Sequence, residues 1–461
     1  MKNYLILSIL TFILSSIPMW MPSENESITL LILHSIEAFV CSFSLFLYHD
    51  RPFSLFKVFH LFFLFFLCIA PIMQFKYDIL LWDGMPFSEW DYILTSFVLL
   101  CTLLIYNIVY YVIYKSNRTS FIGKIESFLD NPLLELKPLT IFEAGMFLVL
   151  AFTILYSVLY INNFNLLSLI FRGGDLEEVE LIENVTDNSV PQSLNLVIVN
   201  FLRPMIITLF LSSFVLRAKR FFVFLMFLFV LLIAFPTSMP RFSAAAMYIP
   251  ILLVFSPLFR KKNAFVLSAI VGLLVIFPFL NNFRYFTENT EIQIGVDFGM
   301  FTEGHFDSYS SMLRVLKYDI VTYGRQLLGV FLFWVPRSVW INKPIGSGAF
   351  MCDELHLSFD NISCCFFAEG YINAGFVGLL LFLLFFAAIS AFLDNAFWQM
   401  SLHRNSQNIF FRLIYFFLLG LFFFLLRGDL LSSFAYIMGF VCSVLFVFKL
   451  LTTNRMYKFS F

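Results

Sequence analysis

The sequence predicts an all-α polytopic membrane protein of about twelve transmembrane helices, with a large helical loop late in the chain. Three observations carry that expectation. Of 461 residues, 60% are hydrophobic and only 13% are charged, about half the charged content of an ordinary soluble domain. The apolar residues come in continuous runs of about 20, the length a helix needs to cross the hydrocarbon, without the period-2 alternation of a membrane β-barrel. The segments between the runs alternate in charge. A formal net charge of -1 and the lack of a basic tract exclude nucleic-acid binding by bulk electrostatics.

The expected spans are residues 3–22, 28–48, 54–74, 91–114, 141–162, 195–216, 221–237, 242–259, 264–281, 371–393, 409–426 and 430–451. The first follows Lys2 and has no small-residue cleavage pattern ahead of Pro18 and Pro22, so it reads as a retained helix. One set of connecting segments carries Arg51 and Lys57, then Lys115, Arg118, Lys124 and Lys137, then Arg217, Lys219 and Arg220, then Arg260, Lys261 and Lys262, then Arg404, and finally Arg455 and Lys458. That set is expected to face the cytoplasm with both termini. The opposite set includes an acidic stretch from Asp175 to Asp187 and the long segment 282–370. The chain is therefore divided into 1–281 with nine spans, 282–370 as an outer loop, and 371–461 with three spans. The 66 phenylalanines are read as lipid-facing and packing bulk.

Cys41, Cys68, Cys101 and Cys442 fall inside spans, as small apolar packing residues. Cys352, Cys364 and Cys365 fall in the outer loop, where an oxidising compartment permits one disulfide. The neighbouring Asp353, Glu354 and His356 match no zinc template, so neither a resident metal nor a cofactor is expected.

Function is sought among cations on the outer side, where Lys and Arg are normally avoided: Arg172, Arg241, Arg284, Arg314, Lys317, Arg325, Arg337, Lys343 and Arg427. Their placement points to an anionic ligand at the outer leaflet. Within the loop, residues 308–318 read as an amphipathic helix capped by Asp307 or Ser308, with Arg314 and Lys317 on a shared side. The apolar run 327–335 is too short to cross and is expected to lie on or dip into the bilayer, with Arg337 between the interfacial Trp334 and Trp340. Residues 336–348 make a rigid, then glycine-loosened turn whose Arg337 and Lys343 suit a diphosphate, with an ordinary anchor to anionic headgroups as the lesser alternative. Glu369 stands at the mouth of the tenth span, either as a partner of a helix N-terminus or as a chemical group. His305 and Glu369 are the candidate general bases, with Asp307 placed to orient His305 and His356 in reserve.

The block WVPRSVWINKPIGSG at 334–348, the stretch FAEGYINAG at 367–375 and the LRGDLL hairpin around Arg427 together resemble Wzy-type O-antigen repeat-unit polymerases. The resemblance is sharp at 237–243, 284–375 and 425–433 and architectural elsewhere. It implies a GT-C-like glycosyltransferase of the bacterial inner membrane, acting in lipopolysaccharide biosynthesis. Such an enzyme moves a growing glycan from undecaprenyl diphosphate to the next lipid-linked repeat unit at the periplasmic face, and works alongside a chain-length regulator protein. Under that resemblance Arg241, Arg284, Arg337 and Arg427, with Arg325 and Lys343 behind them, hold diphosphate. His305, Glu369 and Asp307 carry proton transfer, with no metal. The alternatives are a flippase for lipid-linked oligosaccharide and an O-antigen ligase-like transferase. A flippase is disfavoured by the gross difference between the two halves of the chain.

Overall fold

Hydroxyl caps placed just ahead of apolar runs start several helices. The Ser27 hydroxyl accepts the Leu30 N–H, the Ser54 hydroxyl accepts the Lys57 N–H, and Thr140 with Glu143 forms a reciprocal capping box. In the computed structural model the described residues are all but 1, 49, 117–137, 167–168, 171–197, 240, 277, 279–295, 358, 360–361, 403–408 and 458–461, and no strand occurs among them. The principal helices are α1 Lys2–Trp20, α2 Ile28–Leu47, α3 Leu55–Lys76, α4 Glu89–Ser116, α5 Ile141–Ile161, α6 Arg203–Val215, α7 Arg220–Ile233 and α8 Arg241–Phe255. After these come α9 Ala264–Val271, α10 Ser308–Lys317, α11 Arg325–Phe331, α12 Ser347–Leu355, α13 Phe366–Leu402, α14 Ile409–Arg427 and α15 Leu430–Tyr457.

Eight apolar stretches among the described residues are long enough to cross a membrane: Ile28–Leu47, Leu55–Lys76, Glu89–Ser116, Ile141–Ile161, Arg220–Ser238, Phe366–Gln399, Phe410–Arg427 and Leu430–Thr453. The chain is a multi-pass helical membrane protein. The other four expected spans hold shorter apolar helices, Tyr4–Trp20, Asn200–Val215, Phe242–Phe255 and Ala264–Val275. At about 1.5 Å per residue these fall short of roughly 30 Å of hydrocarbon, so a count of twelve depends on them as well.

The chain divides into two units. The first comprises residues 1–117, 257–395 and 422–433. At its centre α3 is buried along its whole apolar length and carries a π-helical stretch at Phe63–Ile69. It is tied at both ends. The buried Asp394 carboxylate accepts the N–H groups of Leu55 and Phe56 and the Tyr110 hydroxyl. At the far end the Gln74 amide donates to the carbonyls of Phe301 and Phe306, each at 2.9 Å, and the Lys76 ammonium to those of Met19 and Met21. Arg51 and Lys57, expected in a cytoplasm-facing segment, are buried here, Arg51 on the Asn395 side-chain oxygen at 2.7 Å and Lys57 on the Arg51 carbonyl at 2.6 Å. Lys57 satisfies the Arg51 and Pro52 carbonyls at the start of α3, and the Arg51 guanidinium satisfies the Asn395 side-chain oxygen.

α13 is not one straight rod. Its backbone breaks at Ala374 (φ -160°, ψ 37°) and Gly375 (φ 59°, ψ -147°), the second a conformation nearly confined to glycine. Beyond the break the chain doubles back. The Phe366 ring lies 5.5 Å from Phe382 and 4.5 Å from Phe386, and a Cβ on Gly378 would sit 2.2 Å from the Gly370 carbonyl oxygen. In a straight helix residues eight apart are about 12 Å distant, so these contacts define two antiparallel limbs, the shorter one carrying Glu369.

The second unit comprises residues 118–256, 396–421 and 434–461. Its core includes Phe147, Ile154, Ile206, Phe210, Val230 and Phe417. Two glycines bring helices into contact there. A Cβ on Gly420 would fall 2.4 Å from the Ala246 Cα, and one on Gly439 would fall 2.3 Å from the Asn200 carbonyl oxygen.

In the late loop α10 matches the amphipathic helix expected at 308–318. Asp307 occupies its N-cap position but makes no capping bond; its carboxylate is engaged elsewhere. Arg314 is buried and donates to Ser310 and to the carbonyls of Leu81 and Asp83, while Lys317 pairs with Asp91 at 3.2 Å. Both reach the 81–91 segment from the shared side of the helix that their spacing predicts, and there they fix the loop. Cys352, Cys364 and Cys365 are buried and not joined in a disulfide.

Candidate active site

The reversal between α14 and α15 is four residues long, Arg427-Gly428-Asp429-Leu430. The Gly428 N–H closes on the Phe424 carbonyl at 2.7 Å, so the last side chain of α14 and the carboxylate ahead of α15 leave from neighbouring points. Arg427 is about one-third exposed and pairs with the buried Asp307 at 3.1 Å. Its Nε also donates to the His305 carbonyl at 2.8 Å, with Nη2 3.4 Å from the Gly304 carbonyl. Asp307 further accepts the Ser363 N–H and hydroxyl. The described contacts of Asp307 thus go to Arg427 and Ser363, where sequence reasoning assigned it to the His305 ring. The reason is local. Leaving the N-cap hydrogen bond unmade frees the carboxylate to neutralise a guanidinium arriving from another helix.

On the other side of the turn two carboxylates meet helix N-termini. Glu369, 1% exposed, accepts the Ser347 hydroxyl and the Leu430 N–H, each at 2.8 Å. Asp429 accepts the Gly348 N–H at 2.7 Å. Unpaired N–H groups of a helix's first turn favour a carboxylate at that position. The glycines of Gly346-Ser347-Gly348 permit the approach, because a Cβ on Gly346 would stand 2.7 Å from Asp429 Oδ2 and one on Gly348 only 2.1 Å from the Ile362 carbonyl oxygen. Desolvation pushes the Asp429 carboxyl up to about 6, and the negative Asp307 adds to that push; the Gly348 N–H and the Arg427 guanidinium oppose it.

The remaining expected cations have different stations. Arg337 donates to the carbonyls of Lys343 and Pro344, and the Lys343 ammonium to those of Phe333 and Val335 at 2.6 and 2.9 Å. These two charges stitch the 333–344 turn together, with the Arg337 side exposed. Arg325 is exposed at the start of α11. Next to it the Leu327 N–H donates to the Asn373 side chain, which in turn donates to the Glu369 carbonyl. Arg241 opens α8 in the second unit, and its side chain lies outside the described residues, as does Arg172. Arg284 lies outside them altogether.

One turn thus gathers Arg427, His305 through its carbonyl, Asp307, Glu369 and Asp429. Asp429 and Ser347 were absent from the expected site. Their signal was a glycine pair able to admit a carboxylate against a helix start, but the partner lies 81 residues further along the chain. No protein-family model, curated protein or solved structure matches the chain. Chemically, the cluster offers a partly exposed guanidinium for an anion. Beside it stands a partly exposed carboxylate whose proton affinity lies near neutrality.

Proposed function

We propose that the chain is a GT-C-like glycosyltransferase of the repeat-unit polymerase kind, in the bacterial inner membrane, that joins lipid diphosphate-linked oligosaccharides at the periplasmic face. The observation that carries the reading is the spacing of Arg427 and Asp429, an anion holder and a base two residues apart on one turn.

In this reading a hydroxyl of the acceptor repeat unit, itself linked to undecaprenyl diphosphate, attacks the anomeric carbon of the donor glycan. The new glycosidic C–O bond forms as the bond to the donor diphosphate breaks. The hydroxyl proton passes to Asp429, and the undecaprenyl diphosphate leaves with its gain in charge matched by Arg427. Arg241, Arg284, Arg325, Arg337 and Lys343 are the further cations assigned in this proposal to the anionic headgroups of the substrates. Glu369 acts as a positioning residue by holding Ser347 and the start of α15, and Asp307 by holding Arg427. The His305 ring is the alternative base. Twelve spans, with both termini in the cytoplasm, belong to the same proposal.

The test uses the purified chain in proteoliposomes with a lipid diphosphate-linked oligosaccharide. Lengthened glycan on one carrier and released carrier diphosphate are the expected products, both lost in Arg427→Ala. A chain that moves the substrate across the bilayer without lengthening it would overturn the proposal.

A further inference from the structure

A second polar cluster lies inside the first unit, among its apolar helices. On α2, His34 and Glu37 stand one turn apart with His34 Nδ1 2.7 Å from Glu37 Oε2. Cys68 comes from the π-helical stretch of α3, and the ligand atoms of all three residues lie within 4.8 Å of one another. All three are buried, and the second carboxylate oxygen, Glu37 Oε1, has no hydrogen-bond partner. Elsewhere in this unit buried carboxylates are supplied with donors on both oxygens, as at Asp307, Asp394 and Glu369. The orphan oxygen therefore marks a site short of an electrophile.

The protons around His34 can be assigned by following the chain of partners. The Tyr309 hydroxyl donates its one proton to the Tyr92 carbonyl at 2.9 Å. The 2.8 Å contact between Tyr309 and Ser96 must then be donated by Ser96. Ser96 is left as an acceptor for His34, 3.1 Å from Nε2. In this assignment Nε2 carries the ring hydrogen, and Nδ1 accepts across the 2.7 Å contact from a Glu37 carboxyl that holds the proton while no ion is bound. A histidine that donates through one nitrogen and keeps a lone pair on the other has the tautomer of a metal ligand, with Ser96 as its outer support.

We propose that His34 Nδ1, the Glu37 carboxylate and Cys68 Sγ bind one divalent transition-metal ion of the zinc class. Tetrahedral zinc with bonds of about 2.0–2.3 Å places its ligand atoms about 3.3–3.8 Å apart. The His34–Glu37 contact has to open by about half an ångström to meet that spacing, and the set as a whole, spread over up to 4.8 Å, has to close by up to about 1 Å. Charge also favours the site. A dication with one thiolate, one carboxylate and one neutral imidazole sums to zero, so no net charge is buried among the helices. The thiol, which now donates to the His34 carbonyl at 3.2 Å, and the Glu37 carboxyl each give up a proton on binding, so two protons leave as one dication enters. A small cleft lined by Asn25, Ser27, Pro71 and Lys76 borders His34. Because Tyr309 belongs to α10, the ion would clamp α2 and α3 beneath the loop helix that follows His305. It does so independently of the reaction proposed above.

The full chain in phospholipid nanodiscs, stripped with a chelator, is titrated with Co²⁺. One equivalent is expected, with a thiolate-to-cobalt charge-transfer band that zinc abolishes by displacement. Cys68→Ala should lose the band and at least 100-fold in affinity, while Cys101→Ala, a thiol elsewhere in the spans, changes neither. Ser96→Ala should keep the band and bind about 10–100-fold more weakly. Less than 0.1 equivalent on the unmodified chain, or a band that survives Cys68→Ala, overturns the proposal and leaves His34 and Glu37 sharing a proton only.

Discussion

Asp429 holds its proton more tightly folded than unfolded, since its carboxyl moves from an ordinary 3.8 up to about 6. Its contribution to stability is therefore complete below about pH 4 and is lost as pH rises through about 6. Asp429→Asn keeps an acceptor for the Gly348 N–H and removes the charge. It should raise the melting temperature at pH 8 and leave it unchanged at pH 4, while lowering turnover by about 10²–10⁴-fold. Equal melting shifts at the two pH values would contradict the assignment, and in the parent chain turnover should fall as pH drops below about 6. Arg427→Ala strands the buried Asp307 carboxylate and is expected to cost about 1–3 kcal/mol as well as activity. Asp307→Asn made in that background should recover much of the melting temperature but none of the polymer. Asp429 was hard to find in the sequence because the Arg-Gly-Asp tripeptide offers a ready local pairing. Its actual partners, Gly348 and the buried surroundings of Glu369, are brought up only by folding.

Elements differ in how openly the sequence declares them. The helix at Ser308–Lys317 was legible because its polar and apolar residues alternate with the helical period. The reversal inside α13 was not, because apolar residues run through it without interruption and only Ala374-Gly375 marks the break. Glu369 consequently sits on a short limb folded against the span, where the sequence placed it at the mouth of a straight one. Gly375→Ala meets no neighbour, as nothing lies within 4 Å of its would-be Cβ. Any loss of stability is backbone strain, expected at about 1–3 kcal/mol. Gly378→Ala collides with the Gly370 carbonyl and should separate the limbs. A disulfide engineered by Phe366→Cys and Phe382→Cys should form readily in the parent background and poorly beside Gly378→Ala. Equal yields would refute the antiparallel arrangement.

At the scale of the molecule, hydropathy located the helices well and charge located the interior badly. Among the described residues, eight apolar helices long enough to cross a membrane and four shorter ones fall where the apolar runs are, since transfer into hydrocarbon depends on composition summed over a window. Arg51 and Lys57, assigned by the sequence to a cytoplasm-facing segment, and Arg314, assigned to the outer loop, are buried. Arg51 is held by the Asn395 side chain and Arg314 by the Leu81 and Asp83 carbonyls, partners far along the chain that leave no mark in the local sequence, while Lys57 turns to the nearby Arg51 carbonyl. The proposed topology puts Ser338, which is exposed, on the periplasmic side. A membrane-impermeant maleimide should therefore label Ser338→Cys in intact cells, above the parent background. Labelling that requires lysis would invert the proposed orientation.

The enclosed α3 has a consequence for biogenesis. A helix covered on every side is released from the translocon before residues 298–306, which accept its Gln74, have been synthesised. Until then lipid must stand in for protein around it, with a primary amide unsatisfied at one end. Nascent chains that stall before that point leave the Gln74 amide without its two carbonyl acceptors, and those that pass it close the contact as assembly finishes.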